Sequence, residues 1–477
     1  MVRTRILCGL IILYSVGTAF AAESAEKVAP FVERATRFLR TSQSDDGSYS
    51  SHLGTGITSL VATGLMQNGR SAQDPLIAKS LAYLEQHVRE DGGIYQPGSR
   101  YRNYETCLAI LCFGAANRDS KYDKLLENAE AFVKDLQWDK GEGHDESSTS
   151  YGGAGYGKHN RPDLSNTGYL IDALKSLDND DDDPAMQRAL EFVGRCQNLE
   201  TEHNDTKFAA ENPDGGFYYT VAAGGSSQAG ETASGGLRSY GSMTYTGLKS
   251  MIYAGVGPED ARVKAAYRWA QKNYSLSENP GMGDSGYYYY LHTLAKALDA
   301  IGEKEISDAA GVKHDWRQEL IATLAQQQLE NGSWLNKNER WLESDPNLVT
   351  GYVLLTLSFC QDAERSVGKA LCGIPCATLE RVYPGLASGT ETIPYRTLRV
   401  RVDVTPPYQR RSAGLPPKPE GRTKFFGGMR AHRVRTTETD RQQSENFGLP
   451  PRNTAPGQTN IFGSKPAHRL HSTSNDS

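Results

Sequence analysis

The chain has 477 residues, with 52 Lys+Arg against 57 Asp+Glu and a formal net charge of −5, which is long enough for a large core or two domains. The charge is unevenly spread: from Arg381 onward there are 16 basic and 7 acidic residues, which leaves 36 basic and 50 acidic in residues 1–380. The acidic body carries no basic stripe of the kind that seats a phosphate backbone, so nucleic acid is excluded as a partner.

Residues 1–21 read as a signal peptide. Arg3 and Arg5 give a positive start, Ile6 to Phe20 is largely apolar, and Ala19 and Ala21 are small residues at the two positions a signal peptidase checks. The apolar run, about fifteen residues, is short for a membrane span. The protein is therefore expected to be exported, periplasmic or secreted, where disulfides are permitted. Cys107 and Cys112 lie five apart on one predicted helix and so on different faces, and are not expected to pair. Pairing among Cys360, Cys372 and Cys376, or small buried thiols, are both open.

From about Val28 the chain punctuates itself with glycine. Gly47, Gly92, Gly152, Gly215, the looser Gly283 and Gly332 are separated by 45, 60, 63, 68 and 49 residues. A recurrence of that size points to a repeat architecture. Before each glycine lies an amphipathic helical stretch, such as FVERATRFLRTSQ, YDKLLENAEAFVKDL and PAMQRALEFVGRCQ. After each lies a more apolar stretch richer in small residues, such as GITSLVATGLM, YETCLAILCFGAA and NLVTGYVLLTLSFC. The first kind leaves a polar face for water and the second suits burial on every side. One such hairpin cannot cover its apolar face, but six can if they close on themselves. The fold predicted is all-α: an (α/α)6 toroid of six helical hairpins within residues 28–376, charged helices outside and apolar helices around a central cavity. An open helical solenoid is the rival. Each glycine would end an outer helix in a left-handed conformation, with the following aromatic (Tyr49, Tyr95, Phe217, Trp334) packed back on the hairpin.

The stretch QLENGSW at Gln328 resembles the Gln-Gly-Trp repeat of squalene and oxidosqualene cyclases. PDGGFYYT followed by SYGSMTYTGLKSM resembles the Gly-Gly-Phe repeats of protein prenyltransferase β subunits. The resemblance covers about Val28 to Cys360. It implies the α/α toroid of the terpenoid cyclase and prenyltransferase superfamily, with an apolar central pocket for an isoprenoid chain. The chain departs from both chemistries. The cyclases' Asp-x-Asp-Asp-Thr acid motif falls on Asp163-Leu164-Ser165-Asn166-Thr167, which puts Ser165 where the proton donor should be, and a serine cannot protonate an alkene. The zinc ligands of prenyltransferases would fall at SYGSMTY, which has neither Asp nor Cys, and near His292, which lies two or three residues too deep. Asp284 and His292 are about two helical turns apart, too far for one zinc. The Gly-Cys-Gly-Glu-Gln thioester of complement-type toroids is missing. No metal site and no cofactor are assigned, with zinc or magnesium left open.

In such a toroid the loops after the glycines lead into the N-terminal ends of the inner helices, where free N–H groups favour anions. Arg102, Arg161 and Arg238, with Arg100, Lys158 and His159, fall in these loops and could converge on a diphosphate or carboxylate. Each could equally pair with a neighbour such as Glu105, Asp163 or Glu231. Tyrosines crowd the same rim, among them Tyr101, Tyr104, Tyr156, Tyr169, Tyr240, Tyr245 and the run Tyr287 to Tyr290. Their faces can steady a cation, grip an apolar chain or stack on sugar. Tyr104, Tyr169, Tyr245 and Tyr288 are taken as ligand-binding positions. At most two of the four consecutive tyrosines can face one cavity. Asp163, Asp284, Glu105 and His292 are the candidate acids or bases, and Glu105, Asp163 and Asp284 can equally serve as helix N-terminal acids.

The first reading is a toroid that binds or transforms an apolar, isoprenoid-like small molecule. The alternatives are a carbohydrate-processing barrel with two rim carboxylates and a noncatalytic interaction toroid. A greasy cavity, a polar groove with paired carboxylates, or a plugged centre would separate the three. Residues 385–477, rich in Arg, Pro, Gly, Ser and Thr, have no helical period and are expected to be disordered. Their positive charge could touch an anionic surface, and a dispensable solvated tail is the other reading. Nothing in the sequence sets the oligomeric state.

Overall fold

The computed structural model describes residues 26–158 and 161–361. The segment 1–21, Cys372 and Cys376, His159 and the tail 385–477 lie outside the described residues.

The outer helices of the six hairpins are α1 (26–42), α3 (Pro75–Glu85), α5 (Asp123–Asp135), α7 (Pro184–Arg195), α10 (Ala261–Lys272) and α12 (Trp316–Gln327). The inner helices are α2 (Gly56–Gln67), α4 (Arg102–Ala116), α6 (Leu164–Ser176), α9 (Gly241–Tyr253), α11 (Tyr287–Ile301) and α13 (Pro346–Cys360). A short helix α8 (Lys207–Glu211) lies in the loop before α9, and a small antiparallel pair, β1 (Ile306–Ser307) and β2 (Lys313–His314), precedes α12. Local chemistry sets the outer helices. Asp74, Asp183, Asp260 and Asp315 each accept from first-turn N–H groups, and Pro75 and Pro184 occupy the first turn, where their missing donor costs nothing. In α7 the buried residues Ala185, Met186, Ala189, Phe192 and Val193 make one stripe. In α2 every residue from Gly56 to Met66 is buried, which requires neighbours on all sides.

Those neighbours are the other inner helices. Each packs on the next in chain order, and α13 packs back on α2, so the ring is closed and the open solenoid is ruled out. The closing contact uses small residues: a Cβ on Gly64 of α2 would stand 2.8 Å from Leu354 Cβ of α13.

The glycine turns do more than end helices. Gly47, Gly92, Gly152, Gly215 and Gly332 all have positive φ, between 79° and 92°. A Cβ on each would also meet a carbonyl oxygen of the next outer helix: Lys79, Asn128, Arg188, Ala265 and Arg34, at 2.2, 2.6, 1.8, 2.9 and 2.4 Å. Gly283, the looser member, has open space instead. Four glutamines fasten the same junctions. Gln43, Gln137, Gln197 and Gln328 each donate from Nε2 to the carbonyl of their own turn glycine, and to Leu76, Ala185, Arg262 and Phe31 near the start of the next outer helix, at 2.8–3.0 Å. The last of these joins α12 to α1 and closes the outer ring. Trp334 is fully buried and donates from Nε1 to Leu324 O of its own outer helix. The QLENGSW stretch is thus a junction between neighbouring hairpins.

Among the described residues Cys107, Cys112, Cys196 and Cys360 are buried free thiols, no helix is long and apolar enough to cross a membrane, and no three His, Cys, Asp or Glu side chains gather to hold a metal.

Candidate functional site

Among the described residues the closed ring holds two sizeable cavities, and all six inner helices line each. The larger, about 330 Å³, sits at the N-terminal ends of the inner helices. Gly56 and Ile57 of α2, Tyr104 and Glu105 of α4, Ser165 and Tyr169 of α6, Ser242 and Met243 of α9, Tyr289 of α11, and Leu348 and Tyr352 of α13 form its wall. Loop residues Leu53, Tyr101, Tyr156, Tyr219, Tyr240, Trp341, Leu342 and Glu343 complete it. The smaller, about 220 Å³, lies toward the C-terminal ends and includes Asp172, His292, Lys296 and Tyr253 among apolar side chains.

Tyr169 belongs to both linings and is part of a ring of four tyrosines. Tyr104 meets Tyr169 edge-on at 5.0 Å, Tyr169 meets Tyr289 at 6.4 Å, Tyr289 meets Tyr352 at 5.8 Å, and the Tyr352 and Tyr104 hydroxyls stand 3.4 Å apart. Burial pushes the Tyr104 phenol up and that of Tyr289 to about 12, so they stay neutral at ordinary pH. The hydroxyl of Tyr289 is 3.0 Å from Ser165 Oγ, which stands at the cavity wall where the sequence motif led to an acid being expected.

Two carboxylates reach this cavity, and both are engaged. Glu105, in the first turn of α4, accepts from Thr55 N and Oγ1, Gln96 N and Ser99 Oγ, tying the start of α2 to the loop ahead of α4. Glu343 accepts from Tyr289 N at 2.8 Å, Tyr288 N at 3.3 Å and Asn336 Nδ2 at 2.7 Å, and so caps α11 from a loop. Burial raises the Glu343 carboxyl, against the pull of those donors.

The remaining expected site residues are distributed as follows. Asp163 is the buried N-cap of α6, accepting from Asn166 N and Nδ2 at 2.9 Å each. It stands behind the wall, beside the phenol of Tyr219, which lines the cavity. Burial raises it to about 6, with Asn166, Tyr219 and Arg161 opposing. Asp284 is exposed and accepts from Asn338 Nδ2 outside the lining. His292 is buried at the smaller cavity, at the far end from the mouth. The three arginines do not converge. Arg102 lies over the Tyr95 ring at 5.2 Å, Arg161 donates to Ser226 Oγ at 3.1 Å, and Arg238 donates to Glu231 O at 2.9 Å, all exposed and outside either lining. Lys158 pairs with Asp135 and Glu142. Tyr104 and Tyr169 line the cavity, while Tyr245 packs on Tyr290 and Tyr288 on Tyr287. Of the four consecutive tyrosines Tyr289 alone reaches the cavity.

The sequence reading passed over Tyr219, Trp341 and Glu343, which come from loops without periodicity. Trp341 and Leu342 are 42% and 48% exposed, with φ of 56° and 65°. Such left-handed non-glycine residues are strained and gather at functional rims. Trp341 leans on Gly286, and Arg340 stacks on it at 4.3 Å while bonding Gln228 across the mouth at 2.6 Å. Asp172, Lys249 and Lys296 were also missed. Their sequence signal is a mid-helix charge in each of three largely apolar inner helices, lone in α9 and accompanied by Lys175 in α6 and Asp299 in α11.

No family model and no curated protein matches the sequence. Among solved structures the chain is similar to type II terpene cyclase MstE from Scytonema in its apo form (12% identity, 71% of this chain and 98% of that chain, TM-score 0.41). It is also similar to variants of that enzyme in complex with geranylgeranyl dihydroxybenzoate, its substrate (12%, 71% and 99%, 0.43), and with merosterolic acid A, its product (13%, 71% and 99%, 0.43). The likeness is one of fold, and nothing about this chain's ligand or chemistry follows from it.

Proposed function

We propose that the tyrosine-walled cavity holds an apolar, isoprenoid-like small molecule, gripped by aromatic faces contributed from around the ring. The observation that carries this reading is the wall itself: eight tyrosines and Trp341 around a volume of about 330 Å³, the mostly apolar concavity that small-molecule sites share. Tyr104 and Tyr169 would touch the chain, with Tyr289 and Tyr352 completing the grip. The carbohydrate reading needs two carboxylates free for acid and base work. Glu105 already has four donors and Glu343 three, so the reading as a binding cavity is preferred. Should the ligand be turned over, Glu343 is the acid we would assign, because its carboxyl lines the cavity and burial raises it. Asp163 would act only through the Tyr219 phenol.

Native mass spectrometry of the purified full chain with farnesol, geranylgeraniol and cellohexaose tests this. We expect one prenyl alcohol per chain, weakened at least tenfold by Tyr104→Ala, and no oligosaccharide. Binding of cellohexaose in preference, or of neither class, would overturn the reading.

A further inference from the structure

The smaller cavity has an ionic centre that the proposed function does not use. Asp172 of α6 is 6% exposed, and two ammonium groups bear on it: Lys249 Nζ of α9 at 2.6 Å from one oxygen and Lys296 Nζ of α11 at 2.7 Å from the other. Lys249 also donates to Gly168 O at 3.0 Å, whereas Lys296 has Asp172 and the Tyr253 face, 5.8 Å away, as its described partners. An ammonium has three N–H groups, so Lys296 retains donor capacity in the cavity it lines. One carboxylate against two lysines leaves one positive charge over. A buried charge without a counterion is expensive.

A second observation lies beside it. His292 of α11 is 5% exposed, lines the same cavity, and its Nδ1 has no hydrogen-bond partner. Burial and Lys296 push this ring down to about 3, so it is neutral at ordinary pH and offers one N–H and one lone pair. The Lys249 ammonium is pushed down by burial to about 8, which leaves it charged at neutral pH. Around the charged spot the walls are hydrocarbon: Leu60, Leu108, Leu111, Leu355 and Phe359. The cavity reaches solvent beside Lys175, whose side chain is 40% exposed.

We infer that this cavity is a second ligand site, for an organic monoanion, whose carboxylate sits on Lys296 and His292 and whose hydrocarbon lies against the leucines and Phe359. The single excess charge favours a monoanion over a phosphate dianion, and the hydrocarbon walls favour an organic acid over a bare ion. The inference does not rest on the proposed function, although the two cavities share Tyr169.

The test is calorimetric titration of the full chain with octanoate, octanol and inorganic phosphate, with 15N histidine spectra of the same samples. Octanoate should bind saturably and at least tenfold tighter than octanol or phosphate, and should move the His292 nitrogen resonances. Lys296→Met leaves the neutral Asp172–Lys249 pair, so the variant should fold. It should lose octanoate at least tenfold while keeping prenyl alcohol in the other cavity. Asp172→Asn, with a further uncompensated charge, should bind octanoate several-fold tighter. The inference is overturned if octanoate does not bind, if phosphate or octanol binds as well, if the His292 resonances stay put, or if Lys296→Met binds octanoate as the parent does.

Discussion

Asp163 and His292 are both buried, and burial moves their pKa values in opposite directions, so each gives stability a different pH signature. The Asp163 carboxyl rises from 3.8 to about 6 in the fold. A raised folded pKa means that its contribution is fully present below about 4 and is lost as pH climbs through about 6. Asp163→Asn removes that loss and keeps a cap, because Asn is as good an N-cap as Asp. Asn166 Oδ1 has no partner, so a turned Asn166 amide can receive the new NH2 group. Urea unfolding should show the variant gaining on the parent, by on the order of 2 kcal/mol, between about pH 4 and about pH 7. An unchanged difference across that range would mean that Asp163 is not held protonated by burial.

For His292 the sign reverses. Its folded value of about 3 lies below the ordinary 6.5, so the unfolded chain takes up the proton first and stability falls as pH drops from 6.5 toward 3. The ring faces Lys296 of its own helix, Lys249 of α9, Asp172 of α6, and Tyr352 of α13 at 5.9 Å. His292→Phe keeps an aromatic ring there. It should blunt the acid loss by on the order of 3 kcal/mol at about pH 4, read from the same unfolding curves. Parallel pH profiles for variant and parent would contradict the buried neutral ring.

At the scale of elements, the glycine turns are joints between hairpins as well as ends of helices. Gly152 and Gly143 make a controlled pair. Both have φ near 80°, but a Cβ at 152 would lie 1.8 Å from Arg188 O, whereas one at 143 meets nothing within 4 Å. Gly143→Ala pays only for a left-handed alanine, about 1 kcal/mol. Gly152→Ala must also push α7 away, and should cost at least about 3 kcal/mol. Equal losses in thermal unfolding would show that the turn conformation alone matters. The two kinds of helix, and the turn between them, were legible from sequence because burial on one side and burial on all sides leave different residue patterns. The joint was not legible, because the carbonyl that each glycine meets belongs to a helix 32 to 50 residues further along, or in Gly332 to the first helix of the chain.

For the whole molecule, closure decides whether there is an interior at all. Gly64→Leu would drive a side chain into Leu354 at the contact that shuts the ring. It should lower the unfolding free energy by about 3 kcal/mol, as overpacking a well-filled core does. It should also release any ligand from both cavities together. If the variant loses stability yet keeps both ligands, the cavities do not depend on closure. The interior was legible only in part. Tyr104 and Tyr169 could be found because they sit in the first and second turns of inner helices, whose N-terminal ends converge on one mouth. The arginines of the same loops do not converge, since loop side chains have local acceptors within reach, such as Ser226 Oγ and Glu231 O. Tyr219, Trp341 and Glu343 arrive from irregular segments whose path no periodicity encodes. Asp172, Lys249 and Lys296 find one another only once three helices lie side by side.

The central claim is that the closed ring presents its tyrosine-walled cavity to an apolar chain. Photo-crosslinking of the full protein with a diazirine-bearing farnesol, followed by peptide mapping, tests it most directly. Label should fall on peptides carrying Tyr104, Tyr169, Tyr289 and Tyr352, and be competed away by unmodified farnesol. Label spread over the outer helices, or unaffected by the competitor, would contradict the account.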